Sequence, residues 1–356
     1  MLYYVTRELH SYTIDKLLAS FATSWLPRPE FVQPVSYETL LALKRAPIGN
    51  YVFTDVDRLS GYEVDAAAEI VKSVTAAAPA ALISNPPHRV LNRYALLRRL
   101  YESGINSFNV WRLDEERAPT AYPVFIRREQ DALGPESGLL RNEGEYRAAV
   151  AALQASGKGL TGRIAVQYVS TAGGDGLHRK YGVFGIRGRM VPQNLMTAES
   201  WVVKSDSRDP DADMTEEEER FVTANPHADQ LREIFRIAHI DFGRVDYGIV
   251  DGRIEVFEIN TNPTFSRARI THDRKMIRRK LTIEGLVAGF RDLDAGRHGS
   301  GVVRFKTPKP KLHRLRNRSW SRRIKDRIAY ARWWLESLGP RSQQAIEHRQ
   351  PQPEAE

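Results

Sequence analysis

The chain has 356 residues, 42% hydrophobic and 27% charged, with a formal net charge of +9, which fits two or three domains of an ordinary soluble globular protein. It has no cysteine, which excludes thiol nucleophiles, thiolate metal sites and disulfides. No uninterrupted apolar run approaches a membrane span, and MLYYVTRELH carries charges where a signal peptide is apolar, so the expected location is the cytoplasm.

Residues 1–88 alternate strands and helices. LYYVT (2–6), NYVFTDVD (50–57) and AALISN (80–85) read as strands, and helices are expected around Thr13–Thr23 and over Tyr62–Ala77. Such alternation predicts an α/β layer. A helix follows from about Leu91 to Glu102, with Leu91, Ala95, Leu96 and Leu100 as its apolar stripe and Gly104 just past its end. YPVFIRR (122–128) is a strand that runs into a loop holding Gly134, Ser137 and Gly138, and Ile164–Val169 is a further strand. LHRKYGVFGIRGRMVPQNLM (177–196) reads as a hairpin that turns at Gly188. The acids Glu216–Glu219 read as a solvated helix start capped by Thr215, where acids suit the first turn. The next helix buries Leu231, Ile234, Phe235 and Ala238.

RVDYGIVDGRIEVFEINTNP (244–263) is the most informative stretch. Val245, Tyr247 and Ile249 alternate with Asp246 and Gly248 at strand period, and Asp251-Gly252 is a strong hairpin signal. Folding there puts Asp246 roughly opposite residues 257–258. Glu258 and Asn260, two apart, share a face. Three oxygen donors then converge, as suits a Mg²⁺ ion that also keeps waters and phosphate oxygens. The acids stand beside apolar neighbours instead of alternating cleanly with them, unlike a merely solvated hairpin.

This run resembles the metal hairpin of the ATP-grasp superfamily, which includes D-alanine–D-alanine ligase, glutathione synthetase and the ribosomal-protein glutamate ligases. The resemblance implies an α/β and α+β protein of ATP-grasp fold. Its expected parts are an N-terminal α/β domain (1–88), a small subdomain with a phosphate loop (89–169), a subdomain with the metal hairpin (170–295), and a basic amphipathic helix with a disordered tail (296–356). It implies that Asp246, Glu258 and Asn260 hold two Mg²⁺ ions, for which Mn²⁺ can substitute, on the phosphates of ATP. Arg244 then faces the reacting group. Arg93 and Arg127 stand where the family has phosphate-binding lysines, and Gly134, Ser137 and Gly138 form the phosphate loop. Gln167, Tyr168 and Val169 form the hinge whose backbone meets the adenine. Lys180 or Arg179 is the basic residue at the head of the next hairpin, and Lys204, Arg267 and Arg269 are further candidates for phosphate or carboxylate. Family members commonly have Pro-Gly after the Asn motif, whereas here Thr264 follows Pro263.

The implied activity joins a small-molecule or peptide carboxylate to an amine through an acyl phosphate. The alternatives are a kinase acting on a hydroxyl, or a non-catalytic nucleotide-binding module. Residues 301–340 hold twelve Lys and Arg against two acids, a net of +10, which leaves −1 for the rest of the +9 chain. Trp320, Ile324, Ile328, Ala331 and Leu335 form an apolar stripe there. It fits packing on the core, a peripheral position on an anionic membrane surface or, third in order, nucleic acid.

Overall fold

The structure, a computed structural model, describes residues 1–20, 28–115, 117–131, 133–203, 212–264, 273–309 and 328. The chain divides into two compact units, Met1–Pro308 and Lys309–Glu356; the sheets and helices described belong to the first. Lys204, Arg267, Arg269 and, apart from Ile328, the apolar stripe of the tail lie outside the described residues.

The Tyr- and Val-rich runs LYYVT and NYVF form parallel strands β1 (Leu2–Thr6) and β4 (Asn50–Phe53), as β-branched and aromatic residues favour. With β2 (Val32–Ser36) and β5 (Ile83–Ser84) they make a parallel sheet in the order β2-β1-β4-β5. Helices α1 (Tyr12–Ser20), α2 (Tyr37–Leu43) and α3 (Gly61–Ala77) belong to this part. Strand β5 is shorter than the AALISN run because Asn85 takes a left-handed conformation, φ 53°, and Pro86-Pro87 follow. The Asn85 side chain is used elsewhere: its Oδ1 accepts from the Asp241 and Phe242 amides at 2.7 and 3.0 Å. β3 (Arg45–Pro47) pairs with β13 (Val302–Arg304), so part of the segment counted with the basic tail adds a strand to the first unit.

The second sheet is antiparallel, β6 (Val110–Arg112), β8 (Arg163–Gln167) and β7 (Val124–Arg128) in that order, and α5 (Glu143–Ala155) covers it through Trp111, Val124, Ile126, Tyr146 and Leu153. The third, also antiparallel, runs β10 (Arg189–Ala198), β9 (His178–Ile186), β11 (Phe242–Val250), β12 (Arg253–Asn260). Strand alternation buries both of its faces. Val183, Val245, Tyr247 and Val256 meet α4 (Arg93–Glu102) and α7 (Ala228–Ala238), while Phe184, Ile186 and Phe242 meet α8 (Asp273–Leu293) and the first sheet. The protein is therefore mixed α/β. Among the described residues no helix is long and apolar enough to cross a membrane.

Two local expectations shift. Helix α4 starts at Arg93, because Asn92 is its N-cap and accepts from the Ala95 amide at 2.9 Å. The acids 216–219 are not a solvated helix start: Thr215 lies within α6 (Ala212–Ala224), Glu217 pairs with Arg179 at 2.8 Å, and buried Glu218 accepts from the Leu195 amide and from Arg278. Long-range partners claimed a run that reads locally as solvated.

Helix α8 approaches the third sheet at Gly289. A Cβ there would meet Cβ and Cγ2 of Ile186 at 2.9 Å. Helix propensity alone predicts that Gly289→Ala stabilises by about 1 kcal/mol; overpacking predicts a loss of about 1–3 kcal/mol. We expect the loss, read as a lower urea midpoint, and a raised midpoint would show that α8 yields at this contact.

Candidate functional site

The hairpin β11–β12 turns at Asp251 (φ 50°) and Gly252 (φ 75°), the pair of left-handed residues that a type I′ turn requires. Its register sets Asp246 opposite Glu258 and Arg244 opposite Asn260. A bulge between Asp246 and Tyr247 leaves Phe257 without an opposite residue. This explains the broken alternation in VFEIN: the extra residue re-aims the side chains after it, as bulges beside functional sites do. Phe257 and Glu258 both border one cleft.

Each acid of the pair is held by two cations. Arg93 bonds to Glu258, with Arg127 at 3.5 Å. Asp246 takes Arg244 at 2.8 Å and Lys180 at 3.1 Å. Arg93 is the first residue of α4, where the helix dipole is also positive. Its other amino group donates to the carbonyls of Arg128, Glu129 and Asp131 at 3.2, 2.8 and 3.0 Å. A planar guanidinium can serve four acceptors on two elements at once, which an ammonium cannot, so arginine in place of lysine here has a structural reason. Burial and the neighbouring Arg93 push Arg127 below the usual guanidinium range. Burial would raise Glu258, but Arg93, Arg127, Lys180 and Arg244 outweigh it and hold its carboxyl well below its ordinary value. Four cations against two carboxylates leave a surplus of positive charge. The Nε atoms of both Arg93 and Arg127 are buried without a hydrogen-bond partner. Such a place is stabilised by an anion.

The cleft bordered by Arg127, Lys180, Asp246 and Glu258 is also lined by the apolar side chains of Leu97, Phe108, Val166, Trp201 and Phe257. Trp201 packs on Phe125 at 5.0 Å and stands edge-on to Tyr168 at 5.7 Å. Gln167, Tyr168 and Val169 form one wall. The Gln167 amide donates to Asn109 and the Tyr168 amide to Pro123, both at 2.9 Å. Among the described residues the Val169 amide has no partner.

Of the residues singled out in sequence, Arg127, Gly134, Gln167, Tyr168, Val169, Arg179, Lys180, Asp246 and Glu258 border this cleft. Arg93, Asn260 and again Glu258 border a second chamber on the far side. Ser137 and Gly138 border neither: the Ser137 hydroxyl accepts from the Ile126 amide and donates to the Gly138 carbonyl, folding the loop back on β7. Arg244 borders neither chamber; it reaches Asp246 and Gln193. Trp201, Phe257 and Asp57 were missed. The triplet Trp201-Val202-Val203 was the available signal for the first. Among the described residues no three His, Asp or Glu side chains cluster as a metal site, so Asp246, Glu258 and Asn260 would need ligand oxygens to complete a shell.

The loop after β12 is anchored by Asn262. Its Oδ1 accepts from the hydroxyls of Tyr4 and Thr13 at 3.0 and 2.6 Å, and its amide nitrogen donates to Thr6, the His10 carbonyl and Asp55. Thr261 accepts from the Val56 amide at 3.3 Å. This buried network ties the hairpin end to the first sheet and fixes the turn Val56–Arg58, which walls the second chamber.

No protein-family model matches the chain, and no curated protein matches it in sequence. In structure it is similar to the D-alanine–D-alanine ligase from Bacillus anthracis complexed with ATP, at 13% identity over 82% of this chain and 99% of that one, TM-score 0.43. It is similar to a RimK-domain ATP-grasp protein from Sphaerobacter thermophilus, at 14% identity over 83% and 100%, TM-score 0.47. It is also similar to a D-cycloserine synthetase, at 18% identity over 82% and 99%, TM-score 0.44.

Two outcomes are expected. Asn262→Ala orphans several buried groups and should cost about 2–4 kcal/mol of unfolding free energy; an unchanged urea midpoint would mean the network contributes nothing net. The folded Glu258 carboxyl titrates below its ordinary value of 4.5. Its contribution is therefore complete above that value and is lost progressively as pH falls from it through the folded value of about 2. The stability gap between wild type and Glu258→Gln should close on acidification below pH 4.5; a gap constant down to acid pH would show that the ion pairs add nothing.

Proposed function

We propose that the chain is an ATP- and Mg²⁺-dependent ligase of ATP-grasp fold that joins a carboxylate to an amine through an acyl phosphate. The observation that carries this reading is the cleft with two unlike ends. An apolar end walled by aromatic side chains, with the unpaired Val169 amide beside it, suits a purine. Arg127, Arg179 and Lys180 border the cleft, and Arg93 and Arg244 neutralise Glu258 and Asp246 from outside it, so the surplus of positive charge suits a polyphosphate.

On this reading the Val169 amide donates to the base edge, and Arg127 and Lys180 move from the carboxylates to the phosphates. Asp246, Glu258 and Asn260 suit Mg²⁺: their donors are all oxygens on one face of a paired hairpin, and the Asn260 carbonyl spends one lone pair on the Asn262 amide at 2.8 Å. Bound Mg²⁺ supplies charge neutralisation between the phosphates. The substrate carboxylate attacks the γ-phosphorus and ADP leaves. An amine then attacks the acyl carbon, loses a proton and expels phosphate. The protein positions the reactants and balances their charge, so it needs no side-chain nucleophile.

Calorimetric titration with a non-hydrolysable ATP analogue and Mg²⁺ should show binding, and Arg127→Ala should weaken it about 10–100-fold. Glu258→Ala should abolish Mg²⁺-dependent ADP release while the far-ultraviolet spectrum stays unchanged. Absence of binding by the wild type, or unaltered turnover in Glu258→Ala, would sink the reading.

A further inference from the structure

The two chambers that meet at Glu258 differ in sign. The first has Arg127, Arg179 and Lys180 against Asp246 and Glu258, a balance of +1. The second has Arg58 and Arg93 against Asp57, Glu129, Asp131 and Glu258, a balance of −2 among the described residues. Its two cations are already engaged. Arg93 is held by Glu258, and Arg58 by Asp55, outside the chamber, at 3.2 Å.

The remaining acids are poorly met. Among the described residues Asp57 receives no hydrogen bond from another residue, and its ion pair is with Arg58 Nε at 4.0 Å. Glu129 is 6% exposed at its side chain. Its Oε1 has no hydrogen-bond partner, and Arg112 stands 3.6 Å away. Asp131 faces Arg128 at 3.6 Å and accepts from the Leu133 amide. Glu129 has a buried carboxylate oxygen without a donor, which is costly, and a cation that fills the chamber removes that cost; Asp57 and Asp131, 34% and 25% exposed at their side chains, add negative charge to it. Burial raises the Asp57 carboxyl above its ordinary value although Arg58 and Arg93 pull the other way, as expected of a charge not met from within.

We propose that the second chamber binds the amine substrate and that this substrate carries a further positive charge besides the reacting amine, as a diamine or a basic amino acid does. The inference rests on the ligase reading for the role of the amine. The reacting nitrogen must be neutral to attack, so an acidic chamber that only held it as ammonium would oppose the reaction. A second, non-reacting cation lets the acids contribute binding while the nucleophile stays free. The two signs also keep the ligands apart: a polyphosphate is repelled from the second chamber and a cation from the first.

The test is titration of the full-length protein with putrescine, 1-butylamine and L-glutamate, on wild type, Asp57→Asn and Glu129→Gln, with the ATP analogue titrated separately into wild type. Putrescine should bind at least about tenfold more tightly than 1-butylamine, and Asp57→Asn should remove most of that preference. Glu129→Gln should reduce it independently. Equal binding of the two amines, preference for L-glutamate, or a preference untouched by both substitutions overturns the proposal. If the ATP analogue binds and putrescine is not preferred, this inference alone falls. If putrescine binds through Asp57 and the ATP analogue does not bind, the cation site stands and the ligase reading falls.

Discussion

Asp246 and Glu258 face one another across a strand pair, and the arrangement around them depends on that juxtaposition. Two carboxylates at adjacent, largely buried positions cannot both stay ionised without compensation. The compensation comes from four separate elements: Arg93 from the start of α4, Arg127 from β7, Lys180 from β9 and Arg244 from β11 itself. The second and third sheets and helix α4 are thus joined at one electrostatic point. Because the cations outnumber the acids, that point carries a net positive charge.

The bulge at Phe257 and the network at Asn262 work on either side of this point. The bulge brings an aromatic ring and Glu258 to the same cleft, so apolar and charged ends are contiguous. Asn262, with its side-chain oxygen and nitrogen both engaged, ties the end of β12 to β1, the loop after it, and Asp55. The turn just after Asp55 is thereby held against the hairpin, and the space between them is the second chamber. A single hairpin with its exit loop therefore walls two compartments of opposite charge.

Much of this was legible along the chain. The strand period, the Asp251-Gly252 turn and the opposition of Asp246 to Glu258 obey local rules, and so does the buried face of α7. The broken alternation in VFEIN was visible too, though its cause, a bulge, was not. The reading of Glu216–Glu219 as solvated failed because charge composition says nothing about partners: Arg179 and Arg278 are distant in sequence and close in space. The bonds of the Ser137 hydroxyl, to the Ile126 amide and the Gly138 carbonyl, were likewise not legible in the sequence.

What the sequence by itself determined is the hairpin and its three oxygen donors, because register and face depend on spacing and turn chemistry within twenty residues. What only the tertiary structure decided is which cations answer those acids, which amide of Gln167–Val169 is left without a partner among the described residues, and which side chains wall the second chamber. Those depend on contacts between elements tens to hundreds of residues apart, where side-chain reach and burial select partners that no local pattern encodes.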